Sequence, residues 1–190
     1  MNDKLTGGFA LCGSFCTFKT AIEALRGLAP VYNIIPIMSE TSFSTDTRFG
    51  MAAEHIGRIT RICGREIIHT IAQAEPIGPK KLLDFLLIAP ATGNTISKLA
   101  LGITDTPVTM AAKAHLRNGK PLIIAVSTND GLSGSAEAIG RLSLRKNVYF
   151  VPYGQDDAAG KPASLVADFS RVQEAVAAAL EGRQLQPVLV

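Results

Sequence analysis

Residues 84–98 read DFLLIAPATGNTISK, and this stretch decides the fold. An apolar run over residues 86–89 stops at Pro90 and gives way to Thr92, Gly93, Asn94 and Thr95, small hydrogen-bonding residues that lead into a helical pattern. Strand, polar turn and helix in that order are how open α/β sheets build ligand sites. Backbone N–H groups at a helix start are unpaired and the helix dipole adds partial positive charge there, so an anionic phosphate is the natural guest.

The same design recurs outward from this stretch. Residues 8–11 predict a first strand ending in Cys12, Gly13 and Ser14, and apolar residues then recur at helical spacing to residue 28. The junction GSFCTFK has too few glycines for the G-x-G-x-x-G dinucleotide fingerprint, and a short Gly-Ser turn suits one phosphate better. Residues 31–37, VYNIIPI, predict a second strand, with Pro36 marking an irregular end or a sheet edge. It discharges into a hydroxyl-rich loop over residues 39–45, and residues 49–62 then carry a helical stripe closed by Gly64. AQAEPIGPKK reads as a stiff loop and a pocket wall. Glu75 within it is a candidate acid or base, or a solvated glutamate beside Lys80 and Lys81.

Beyond the central turn, one helix runs to about residue 103, and a second starts at Thr106 and Pro107 and runs to about residue 116. Residues 120–126 predict a buried strand that delivers Ser127, Thr128, Asn129, Asp130 and Gly131 at its tip. A helix over 132–144, a short final strand at 148–151, the loop YGQDDAAGKPAS, an amphipathic helix over 165–180 and an apolar tail complete the chain.

With 190 residues, 47% of them hydrophobic, and a mean hydropathy of +0.23, the sequence can bury a core without disulfides or metals. Near-continuous apolar runs such as FLLIAP and PLIIAV point to a parallel sheet covered on both faces. The expectation is a single domain over residues 1–190, a three-layer doubly wound α/β sheet with right-handed connections. Its ligand would lie beyond the carboxyl ends of the strands, where the polar turns meet. Surplus apolar surface points to homo-oligomer contacts. The net charge of +3 is scattered, with no basic stripe or aromatic motif for nucleic acid. Cys12, Cys16 and Cys63 lack disulfide or metal-ligand spacing, so no metal is expected, and Cys12 and Cys16 read as small packing residues. No signal region opens the sequence and no apolar run approaches the roughly 20 residues of a membrane span, so a cytoplasmic protein away from membranes is expected.

PATGNTISKLALGITD resembles the signature P-A-S/T-A/G-N-T-I/L-A/S-K-I/L-A-x-G-I-x-D of the homo-oligomeric flavin-containing cysteine decarboxylases and their relatives. Within that family, TPVTMAAKAHLRNGKPLIIAVSTNDGL, NVYFVPYGQDD and ALEGRQLQPVLV look like members that act as one of two subunits in spore-forming bacteria. The resemblance implies a flavoprotein-like, Rossmann-like fold, assembly as a trimer or a multiple of it, and an FMN site. It further implies oxidation of dihydrodipicolinate to dipicolinate in the sporulating mother cell, with NAD(P) on a separate A subunit.

Carried over by motif, Gly13, Ser14 and Phe15 correspond to the family's FMN phosphate turn, Ser39 and Thr41 to phosphate or ribityl contacts, and Thr92, Asn94 and Thr95 to the signature turn. Two departures stand out. The decarboxylases' proline-methionine-asparagine substrate clamp is replaced by Ser127, Thr128 and Asn129, and their catalytic histidine has only His55 or His69 near its place. Arg48, Lys98, Ser127 and Asn129 are candidate contacts for a dicarboxylate substrate, with Glu75 and His69 as candidate bases. Lys98 reads equally as a surface lysine and His69 as a hydrogen-bonded core residue. A stand-alone FMN-dependent decarboxylase or prenyltransferase and a non-catalytic scaffold that activates the A subunit are the alternatives.

Overall fold

The computed structural model describes residues 4–190. Its centre is the 84–98 stretch: β3 (Phe85–Ala91) is buried at every position, and α5 (Gly93–Leu101) follows after the single residue Thr92. β1 (Thr6–Leu11) and β4 (Leu122–Thr128) flank β3, both parallel to it. The β3–β4 register shifts between Ile88 and Ala91, around Pro90, which has no N–H to give the ladder. β2 (Asn33–Met38) pairs outside β1, so Pro36 does lie in a strand at the sheet border. Ile68 partly covers that border, its N–H donating to the Pro36 carbonyl at 2.9 Å. β5 (Val148–Phe150) runs parallel to the first half of β4.

Helices cover both faces. One face takes α1 (Phe18–Leu28), α3 (Ala52–Cys63) and α8 (Val172–Leu180) against Phe85, Leu87 and Ala89. The other takes the single turn α4 (Ile71–Ala74), α5, α6 (Pro107–Leu116) and α7 (Ala136–Ser143) against Leu86, Ile88 and Ala91. Because successive residues of β3 point into two different apolar layers, its sequence shows no polar alternation. No helix is long and apolar enough to cross a membrane among the described residues.

The structure corrects the reading of residues 165–180. They do not form one helix: β7 (Leu165–Ala167) comes first, Asp168 caps a short 3-10 turn over Phe169–Arg171, and only then does α8 start. β7 runs antiparallel to the last two residues of β4 and to β6 (Tyr153–Gly154), which lies in the expected loop. The physical reason is an unfilled edge. β5 reaches only Leu122, Ile123 and Ile124, so the backbone of Ser127 and Thr128 needs another partner, and Leu165 and Val166 supply it.

Smaller differences have local causes. The hydroxyl-rich loop contains α2 (Glu40–Ser44), capped by the Ser39 side chain. α3 starts at Ala52 instead of residue 49, where the Asp46 carboxylate accepts the Ala52 N–H at 2.8 Å. α7 starts at Ala136 instead of residue 132, because the Asp130 carbonyl accepts the N–H groups of Ser133 and Ser135 in a tight turn.

Candidate functional site

The tips of β1, β3 and β4 converge. The Ser14 hydroxyl donates to the Ser127 carbonyl at 2.5 Å, the Thr17 and Ser127 hydroxyls lie 3.1 Å apart, and the Cys12 N–H donates to the Pro90 carbonyl at 3.2 Å. Between these tips lies a cleft of about 730 Å³, a size suited to a nucleotide-like ligand. Its walls are the turn from Gly13 to Thr17, Thr92, and the β4 tip from Ser127 to Asp130. Arg48 and Phe49 join from the loop before α3, and Asp156, Lys161 and Val166 from the hairpin of β6 and β7.

Unpaired backbone donors lie on the cleft wall at the first turn and next to it at the start of α5. The N–H groups of Ser14, Phe15 and Cys16 meet no carbonyl among the described residues. Thr92 caps α5, its hydroxyl accepting the Thr95 N–H at 3.2 Å, which leaves the N–H groups of Gly93 and Asn94 free by helix geometry. Gly13 keeps a notch open: a Cβ there would touch the Phe15 ring and the Thr41 methyl, both at 3.7 Å. Gly93 is closed off instead, packing against Thr128, Asp130 and Ser135, whose two hydroxyls both donate to the Asp130 carboxylate.

The ionised side chains on the walls balance, Arg48 and Lys161 against Asp130 and Asp156. The Ser164 hydroxyl at 2.7 Å and the Lys161 amine at 3.0 Å hold the Asp156 carboxyl below its ordinary range. Arg48 lies over the Phe49 ring, 4.8 Å from its centroid.

Of the residues singled out in the sequence, Gly13, Ser14, Phe15, Arg48, Thr92, Ser127 and Asn129 line the cleft. Ser39 and Thr41 sit behind the first turn, where the neighbouring Ser42 hydroxyl donates to the Leu11 carbonyl at 3.0 Å. Asn94 is exposed beside the cleft, and Thr95 is buried behind it, its hydroxyl accepting from Thr92 at 3.1 Å. Lys98 turns to the other end of α5 and pairs with Asp105 at 2.9 Å. Glu75 lines a different groove with Pro79, and it opens a 3-10 turn over Glu75–Ile77 that continues from α4 where a stiff loop was expected, because the Thr70 capping box starts a helical turn there and Pro76 is tolerated at its N-terminal end. His69 stacks on Phe43 with ring centroids 3.9 Å apart, outside the cleft lining. His55 is 4% exposed, edge-on to Phe18, with neither ring nitrogen partnered among the described residues. Burial, then the charge of Arg58, pushes its pKa down.

Cys12 is a packing residue, its thiol pushed up to about 11 by burial. Cys16 is not, since it is exposed on the cleft wall. Asp156 and Lys161 escaped the sequence reading, because only the unforeseen β6–β7 pairing carries their loop to the site. The Q-D-D…K pattern within a Gly-rich loop was the only local signal.

The family model described as Flavoprotein matches residues 1–152. The chain belongs to the flavoprotein family. This flavoprotein is 44% identical over 184 residues to the dipicolinate synthase B subunit of Bacillus subtilis strain 168, covering 96% of this chain and 92% of that protein. It superposes on the crystal structure of the dipicolinate synthase B subunit from Bacillus halodurans C with a TM-score of 0.91 at 44% identity, covering 100% and 98% of the two chains. The FMN-dependent cysteine decarboxylase SpaF shares the fold, with a TM-score of 0.67 at 21% identity over 94% of this flavoprotein and 97% of that chain.

Proposed function

We propose that this flavoprotein is the B subunit of a dipicolinate synthase, acting with a separate NAD(P)-binding A subunit to oxidise dihydrodipicolinate to dipicolinate. The observation that carries the reading is the 44% identity to a dipicolinate synthase B subunit across 96% of the chain. The reading includes one domain over residues 1–190, a homo-oligomer, and work in the cytoplasm of a sporulating mother cell.

The cleft fits FMN at its phosphate end. Free N–H groups at the first turn, beside the open notch at Gly13, suit a dianion without requiring a lysine. Bound FMN would supply a two-electron acceptor for the dehydrogenation. The chain's own residues do the rest. Arg48 and Lys161 are the cations available to two substrate carboxylates, and Lys161 exchanges its Asp156 partner for substrate. Asp130, oriented by the hydroxyls of Thr128 and Ser135, is an acceptor on the wall for the proton released on aromatisation. Glu75 and His69 lie outside the cleft lining and take no part in this step. Ser127 to Asn129 in place of the decarboxylase clamp argues against a stand-alone decarboxylase.

The test has two arms. The purified chain is soaked with FMN and its visible spectrum recorded; absence of bound flavin absorbance removes the flavin from the reading. Turnover of dihydrodipicolinate is then measured with the A subunit and NAD(P), for wild type and Asp130→Asn. Loss of turnover with intact assembly is expected. Full activity of the A subunit without this chain would overturn the catalytic role.

A further inference from the structure

A second concavity, of about 760 Å³, opens at the C-terminal end of α5, the end away from the cleft. Leu99, Met110, Ala114 and Leu116 give it an apolar floor, and Ile103 extends that floor outward. Its rim carries Lys113 in the last turn of α6, Arg117 just after that helix, and Arg145 and Lys146 after α7, against the single carboxylate of Glu75. None of these four cations has an ion-pair partner among the described residues, whereas nearby Lys98, Lys120 and Arg141 do. Arg145 is held in place because its Nη1 donates to the Leu99 carbonyl at 3.1 Å, which leaves the rest of the guanidinium free. Beside the groove, Leu101 is 65% exposed and Leu144 89%.

Scattered exposed leucines are ordinary, but these two are the chain neighbours of Gly102 and Arg145, which line an apolar-floored groove. All four rim cations are solvated, and the one buried hydroxyl in the lining, that of Thr109, is bonded to Thr106, so the groove lacks the polar convergence that holds a small anion. An apolar centre with a charged rim is instead the anatomy of a protein interface. A two-fold contact between copies of this chain would set the cationic rims against each other and be repelled, whereas a head-to-tail contact between copies, as in a trimer, is the outcome that the self-assembly measurement separates.

We infer that this groove docks an acidic, amphipathic segment of a partner chain, with its apolar side chains on the floor and its carboxylates against Lys113, Arg117, Arg145 and Lys146. The identity of the partner rests on the two-subunit reading above, in which it is the NAD(P)-binding A subunit.

The test is binding of the A subunit to the full chain by calorimetry at two salt concentrations. The variants are Lys113→Glu with Arg117→Glu, Leu144→Ser, and a control, Arg61→Glu with Arg65→Glu, both exposed, in the last turn of α3 and just beyond its end. The double reversal in the groove weakens binding at least about tenfold and flattens its salt dependence, Leu144→Ser weakens it roughly threefold, and the control matches wild type. Circular dichroism and sedimentation check that fold and self-assembly are unchanged. Equal binding of wild type and the groove reversal overturns the groove while leaving the two-subunit reading intact. No binding of the A subunit to wild type overturns that reading and this partner together. Altered self-assembly mass, or loss of binding to a short DNA duplex, with A-subunit binding unaffected, assigns the face to copies of this chain or to nucleic acid and overturns the inference.

Discussion

Gly93→Ala probes the contact between the signature turn and the β4 tip. Gly93 is the first residue of α5, and a Cβ there would overlap the Ser135 hydroxyl and come within 2.6 Å of Asp130 Oδ1 and 2.8 Å of Thr128 Oγ1. These three short side chains are already bonded to one another, so relieving one clash breaks a bond to a carboxylate. Overpacking costs roughly 1–3 kcal/mol. Separating Asp130 from one hydroxyl costs roughly 1.5–3 kcal/mol, and only part of each cost is incurred at once. Alanine in place of glycine returns at most about 1 kcal/mol in a helix. The net expectation is a loss of about 2–4 kcal/mol, with weaker FMN binding because the β4 tip is displaced. Gly57→Ala is the internal control. Gly57 sits mid-α3 with nothing within 4 Å of its Cβ position, so that substitution gains roughly 0.5–1 kcal/mol. Urea unfolding with unchanged m-values measures both. Adding Ser135→Ala to Gly93→Ala removes the worst overlap and recovers part of the loss. If Gly93→Ala is as stable as Gly57→Ala, or if Ser135→Ala restores nothing, the closed cluster at the strand tips is wrong.

Further outcomes concern charge. His55 stays neutral in the fold, below its ordinary 6.5, while the unfolded chain takes a proton below 6.5; stability therefore falls as pH drops from 6.5 toward the folded value and is unaffected above it. His55→Leu should lower that slope in urea titrations, with His115, buried and lowered likewise, contributing the remainder; an unchanged slope rejects the assignment. Asp156 runs by the opposite rule for carboxylates. Its tie to Ser164 and Lys161 is present above the ordinary value of 3.8 and is lost as pH falls through the lower folded value. Pepsin cleavage of the loop over residues 156–163 should therefore rise only below pH 3.8 in wild type and at every acidic pH in Asp156→Asn. Lys161→Ala should raise KM for dihydrodipicolinate about tenfold with a smaller change in kcat, and an unchanged KM removes Lys161 from the substrate site.

Much of this architecture is written locally. FLLIAP and PLIIAV mark strands buried on both faces, and Thr92 and Thr106 followed by small or proline residues mark helix starts, because these signals depend on solvation and on hydrogen bonds a few residues apart. The turns from Gly13 to Thr17 and from Ser127 to Asp130 were legible for the same reason, and parallel α/β topology brings them to one end of the sheet.

Other features were not local. LVADFSRVQEAV carries apolar residues compatible with a helix, and only the unpaired edge of β4 at Ser127 and Thr128 draws Leu165 and Val166 into a strand. That antiparallel pairing, between residues nearly forty positions apart, together with the β6–β7 pairing, carries Asp156 and Lys161 to the cleft. Lys98 shows the converse: it lies in the signature helix, yet its amine turns away to Asp105.

DFLLIAPATGNTISK by itself determined a strand, a capped helix start and a pair of unpaired donors, since each follows from backbone chemistry within a few residues. What the donors face was decided by tertiary structure. Gly93 meets the hydroxyl-bound carboxylate of Asp130, and the cleft's two cations, Arg48 and Lys161, come from segments far apart in the chain. The reason is physical: hydrogen-bonding capacity is a property of each residue, but a site's charge and shape are sums over whatever the fold brings within a few ångströms.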